Sequence, residues 1–257
     1  MQDRFHAILK RRLQAEIQQN PPLFPWESEV GDYEYEQAEA VVSGLAQGSW
    51  MAQLRSLKLP ISLPEPVLAK LFGQCRRVVQ QSLLEGAKLV QVVESLFPES
   101  NQDFNSLAGV VLLGASRSAA LTANDLPTSY EAASSDQKVV LSMLAAKEVL
   151  DMLTVKVSAA QPTAERQWLT EAGPLMLAMN YQAQSGGELR VRGHVPCAAS
   201  LVLRSGDMEA QASRLDAGAL SVELLDLKPN QICPLEIYLQ GDEQQPLVFA
   251  VCPSAAS

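Results

Sequence analysis

Histidine is nearly missing from this chain: only His6 and His194 occur in 257 residues, beside four cysteines, Cys75, Cys197, Cys233 and Cys252. No two cysteines form a Cys-x-x-Cys pair. A zinc site draws on thiolates or imidazoles clustered at short spacing, and that supply is lacking here. The same scarcity leaves few bases for a nucleophilic serine. Gly114-Ala115-Ser116-Arg117-Ser118 departs from the Gly-x-Ser-x-Gly elbow at its last position and stands in a helical pattern. Neither Gly-rich phosphate-cradling motif occurs. No catalytic residue, metal ligand or cofactor is therefore expected, and a non-enzymatic protein is the reading. Carboxylate pairs abound in an acidic chain and assign no reaction without geometry.

Positive charge is also in deficit. Twenty Lys and Arg face 29 Asp and Glu, for a formal charge of −9 and a pI near 4.8. Such a field repels the phosphate backbone, so nucleic acid is an unexpected partner outside a local basic face. Long apolar runs are missing too. Leu107 to Ala115 is the longest, far short of the roughly 20 residues that cross a bilayer. The opening residues, Met1 to His6, are charged and amphipathic rather than signal-like. A soluble, cytoplasmic protein is the expectation, its cysteines free and mostly buried. A disulfide among Cys197, Cys233 and Cys252 would be unusual in a reducing compartment.

What is present is a folding composition, 47% hydrophobic and 19% charged. Phe5, Leu9, Leu13 and Ile17 recur every four residues and predict a first helix over 3–19, stopped by Asn20-Pro21-Pro22. The strap behind it carries Leu23, Phe24 and Trp26 among three prolines. Two readings stay open: an aromatic anchor for a partner, or a plug for the helical core. The acidic stretch with Tyr33 and Tyr35 reads either as an attraction for a basic partner or as a solvated lead-in to a helix.

Residues 37–57 predict two short helices broken near Gly48. Leu68, Phe72, Cys75, Val79, Leu83, Gly86, Val90, Val93 and Phe97 then draw one stripe. They predict a single helix over 66–97, on the order of 45 Å long, serving as a bundle spine or as a pairing surface for a second copy. Small residues at 101–120 predict a buried helix. Ser134 and Gln137 form a capping box ahead of Val139, Met143, Ala146, Leu150 and Leu153. Leu153 to Val157 also alternates like a strand.

Past Ser158–Thr163 the period changes from about 3.6 to 2. Alternation runs through Leu175/Leu177/Met179/Tyr181, Leu189/Val191, Leu201/Leu203, Leu220/Val222/Leu224, Leu235/Ile237/Leu239 and Leu247/Phe249/Val251, with turn signals between. The fold class is α+β: an all-α helical bundle over 1–158, then an antiparallel β-sandwich of immunoglobulin-like size over 164–253, a small barrel being the alternative. With Leu189 and Val191 facing in, Arg190, Arg192 and His194 face out, and Arg204 is placed to join them from the next strand. This ladder reads as an anion- or acidic-peptide-binding face, or as the ordinary solvated side of a sheet.

The stretches QAEIQQNPPLFPWESEV and GELRVRGHVPCAASLVLRSG resemble cyanobacterial proteins of the PatU type, associated with heterocyst pattern formation. The resemblance implies a regulatory cytoplasmic protein acting through protein contacts, with no catalytic residues to carry over. From all this a regulatory or scaffolding role is expected, with protein partners engaged through Phe24, Trp26, Tyr33, Tyr35, Arg190, Arg192 and Arg204. Direct nucleic-acid contact and a small-ligand or enzyme pocket are the alternatives.

Overall fold

Helical and strand periods sort into separate parts of the computed structural model, which describes residues 48–100, 103–113, 129–183, 186–228, 230–239 and 245–254. Among these residues the helices come first: α1 (Gly48–Arg55), α2 (Glu65–Val79), α3 (Glu85–Leu96), α4 (Phe104–Leu112) and α5 (Ser135–Leu153). The strands follow: β1 (Thr154–Ser158), β2 (Thr163–Thr170), β3 (Gly173–Gln182), β4 (Glu188–Val195) and β5 (Ala199–Ser205). Then come β6 (Met208–Arg214), β7 (Gly218–Leu224), β8 (Cys233–Leu239) and β9 (Leu247–Ser254). The chain is thus α+β, with helices first and two mostly antiparallel sheets after them. The helix expected over 3–19, the strap with Phe24 and Trp26, and Tyr33 and Tyr35 lie outside the described residues.

The helix expected over 66–97 is two helices. Pro66 sits in the first turn of α2, where its missing N–H costs nothing, and α2 stops at Val79. After residues 80–84 the chain turns into α3, and Lys88 reaches back. Its Nζ donates to the Val79 carbonyl at 3.0 Å, answering one of the carbonyls that a helix end leaves orphaned. Beyond the turn the buried face is Lys88, Leu89, Val92 and Val93, while Leu83 is 42% exposed. An uninterrupted pairing surface along one long helix is consequently not formed.

The capping box at Ser134 is present: Gln137 N–H donates to Ser134 Oγ, and Ser134 N–H donates to Gln137 Oε1 at 2.9 Å. Val139, Met143, Ala146, Leu150 and Leu153 are all buried. At Thr154 the backbone switches to φ −100° and ψ 126°, so α5 runs without a loop into β1. The alternation at 153–157 is the joint of the two.

One sheet has the order β1-β9-β8-β5-β6 and the other β2-β3-β4-β7; only β1 with β9 is parallel. Every alternating apolar position named above is buried. The sheets approach closely at Gly193 in β4, where an added Cβ would stand 3.0 Å from Leu201 Cδ2 in β5 of the other sheet. Glycine there removes the side chain that would hold the sheets apart. The described residues belong to one compact unit, Ala46–Ser257, and helices and both sheets feed one hydrophobic core. Trp168 is its hub. The indole packs on Phe72 of α2 and edge-on against Phe249 of β9, with centroids 5.7 and 6.1 Å away. Its Nε1–H donates to the Trp50 carbonyl of α1 at 3.2 Å. No helix among the described residues is long and apolar enough to cross a membrane.

Candidate functional site

β4 alternates as its sequence requires: Leu189, Val191 and Val195 are buried, and Arg192 and His194 are exposed. The outer rows of the four-stranded sheet follow from the register. One row reads Glu165, Ala178, Arg192, Ser221; the row beside it reads Thr163, Asn180, Arg190, Glu223. Arg190 is held by carboxylates, with Nη2 2.7 Å from Glu223 and 3.3 Å from Glu188. Hydrogen bonding to Glu223 raises its pKa above the ordinary arginine value. Arg192 has no ion pair among the described residues. Small Ala178 beside it leaves a groove of about 310 Å³ that both arginines line. On the far side of Arg192 stands the row Gln167, Met176, His194, Ala219, with Met176 53% exposed.

Arg204 does not join this face. It lies on β5 in the other sheet, paired with Glu209 at 2.8 Å and Glu236 at 2.7 Å, while Tyr238 donates to the same Glu236. The expected basic ladder therefore reduces to one unpaired arginine, Arg192, next to one neutralised arginine.

A larger cavity, of about 600 Å³, opens where α3 and α5 meet β1 and β2. Sequence reasoning did not find it, because its residues come from segments as distant as Leu83 and Cys252. Leu83, Leu89, Leu112, Leu150 and Ile232 supply apolar wall. Lys156 pairs with Glu85 at 2.8 Å and Lys147 with Asp151 at 2.6 Å. Lys88 and Arg166 also line it and bind main-chain carbonyls instead: Lys88 that of Val79, Arg166 those of Glu165 at 2.9 Å and Thr154 at 3.4 Å. Burial holds the Lys88 amine below the ordinary lysine value. Burial also pushes the Cys252 thiol up, against the opposite pull of Lys88 and Lys156. The two cavities share Thr163, Ala164 and Glu165 of β2, so they flank the same stretch of one strand.

All four cysteines are free, Cys75 and Cys233 buried, Cys197 and Cys252 partly exposed. Complete burial pushes the Cys75 thiol far above its ordinary range, which makes it an inert core group rather than a nucleophile. No family model, curated protein or solved structure matches this chain.

Proposed function

We propose that this protein is a non-enzymatic regulatory or scaffolding module that binds a protein partner through the outer face of the sheet β2-β3-β4-β7. The reading rests on one observation: Arg192 is exposed and has no carboxylate partner among the described residues, in a chain with an excess of acids, beside half-exposed Met176. Arginine and methionine are enriched at protein interfaces, and small Ala178, Ala219 and Ser221 leave the face open to a partner's side chains. The expected partner presents an Asp or Glu flanked by apolar groups, since a carboxylate binds a guanidinium in bidentate fashion. One free arginine is too small a footprint for a phosphate backbone, which favours protein over nucleic acid.

In this proposal the two sheets form a sandwich of immunoglobulin-like size, carried on a helical bundle, which holds the face rigid. The Gly193–Leu201 approach supports the sandwich. A PatU-type regulatory identity and a cytoplasmic location belong to the same proposal, on sequence resemblance and composition. Phe24, Trp26, Tyr33 and Tyr35 are its second candidate surface, outside the described residues.

The test is affinity capture of the full chain from its own cells at low and moderate salt, beside a Met176→Asp/Arg192→Glu double variant. A stoichiometric protein lost in the double variant, with an unchanged melting midpoint, is the expected result. Recovery of the same proteins by both chains would overturn the assignment of this face.

A further inference from the structure

The cavity between α3, α5, β1 and β2 has the size and lining of a small-molecule site. About 600 Å³ falls inside the range of roughly 300–1,000 Å³ that organic ligands occupy. Its wall is apolar along Leu83, Leu89, Leu112, Leu150 and Ile232. Its charge is not balanced. Of four cations, Lys147 and Lys156 are matched by Asp151 and Glu85, whereas among the described residues Lys88 and Arg166 hydrogen-bond to main-chain carbonyls and to no carboxylate. Lys88 is 8% exposed, and its Nζ takes the Val79 carbonyl as hydrogen-bond partner, with Glu85 acting on it only through space. An ammonium in that setting gains from an anion delivered by a ligand, because charge pairing strengthens as water is excluded.

We infer that this cavity binds an organic anion with a single charged head on an apolar body. The head, a carboxylate or its equivalent, lies between Lys88 and Arg166, and the body lies along the leucine wall. Four cations against three carboxylates leave a net charge of one, which suits one anionic head better than several. Glu85, Asp151 and Glu165 also line it, and a polyanion such as a nucleoside triphosphate would meet them. The inference does not use Arg192, although the cavity shares Thr163, Ala164 and Glu165 of β2 with the groove beside that residue.

The experiment titrates the full-length protein with anilinonaphthalene sulfonate, an organic anion whose fluorescence rises in an apolar site, and then displaces it with decanoate or decanol. Saturable one-site binding, displaced by decanoate and at least tenfold less readily by decanol, is expected. Lys88→Met and Arg166→Gln should each weaken decanoate by about tenfold, the scale of one charge-assisted hydrogen bond, with the far-ultraviolet circular dichroism unchanged. Because Lys88 also caps α2, Lys88→Met can perturb folding; Arg166→Gln, whose guanidinium reaches a helix end only through the long 3.4 Å bond to Thr154 O after α5, then decides alone. Unsaturable binding, equal displacement by decanol, or full decanoate affinity in Arg166→Gln would each overturn the inference.

Discussion

At Lys88 a charge stands nearly out of water, its Nζ on the Val79 carbonyl and its amine lowered in pKa by burial, with Cys252 and Glu85 acting the other way. The sign for stability follows. The folded pKa lies below the unfolded value of about 10.5, so between the two the unfolded chain binds more protons, and stability rises with pH across that window. Below it both states are protonated and the desolvation cost is fully expressed. Urea unfolding of wild type and Lys88→Met, at neutral pH and again approaching 10.5, should therefore show wild type gaining on the variant as pH rises. A wild type that keeps level with the variant, or loses ground to it, as pH rises would remove the burial argument. Nothing in the sequence marks Lys88 as special. A lysine in a run of helix formers looks solvated until the chain reverses at residues 80–84 and brings the α2 terminus to it.

At the scale of elements, Trp168 joins what the sequence spaces far apart. It sits on β2, touches α2 and β9, and donates to α1; β2 is fastened again where Leu169 N–H donates to Gln53 Oε1 at 3.0 Å. Removing such a side chain loses transfer energy and leaves a cavity, at a typical cost of about 3–5 kcal/mol. Trp168→Ala should lower unfolding free energy by that amount in denaturant titration; a loss below about 1 kcal/mol would mean the joint lies elsewhere. Strands with alternating leucines and valines were legible because their inner positions are all apolar. β2 and β6 were not: TAERQWLT and MEAQASR show few apolar positions, because both are sheet edges with much of their surface in water. The single helix expected over 66–97 failed for a related reason. Spacings of three and four continue across Gln80–Leu84, and periodicity does not register a turn that preserves phase by accident.

For the whole molecule the decisive contacts cross from one secondary-structure class to the other. β1, which directly continues α5, completes the five-stranded sheet by parallel pairing with β9, while α1 and α2 cover Trp168. A fragment beginning at Ala164 lacks that strand and that cover. Its amide NMR spectrum is expected to lose the dispersion of the full chain, and a well-dispersed, cooperatively melting fragment would show that the sheets need neither.

By itself the sequence determined the α+β order, the capping box at Ser134, the inward positions of the alternating strands and the outward direction of Arg190, Arg192 and His194. These are consequences of local period and local hydrogen bonding, which a chain carries wherever it folds. Tertiary structure alone decided which charges stay unpaired. Arg190 and Arg204 meet carboxylates supplied by other positions, Arg192 meets none among the described residues, and Lys88 and Arg166 come to one cavity from distant segments. An electrostatic partner is set by distance in space, and only the packed chain brings residues as far apart as Arg190 and Glu223 to 2.7 Å.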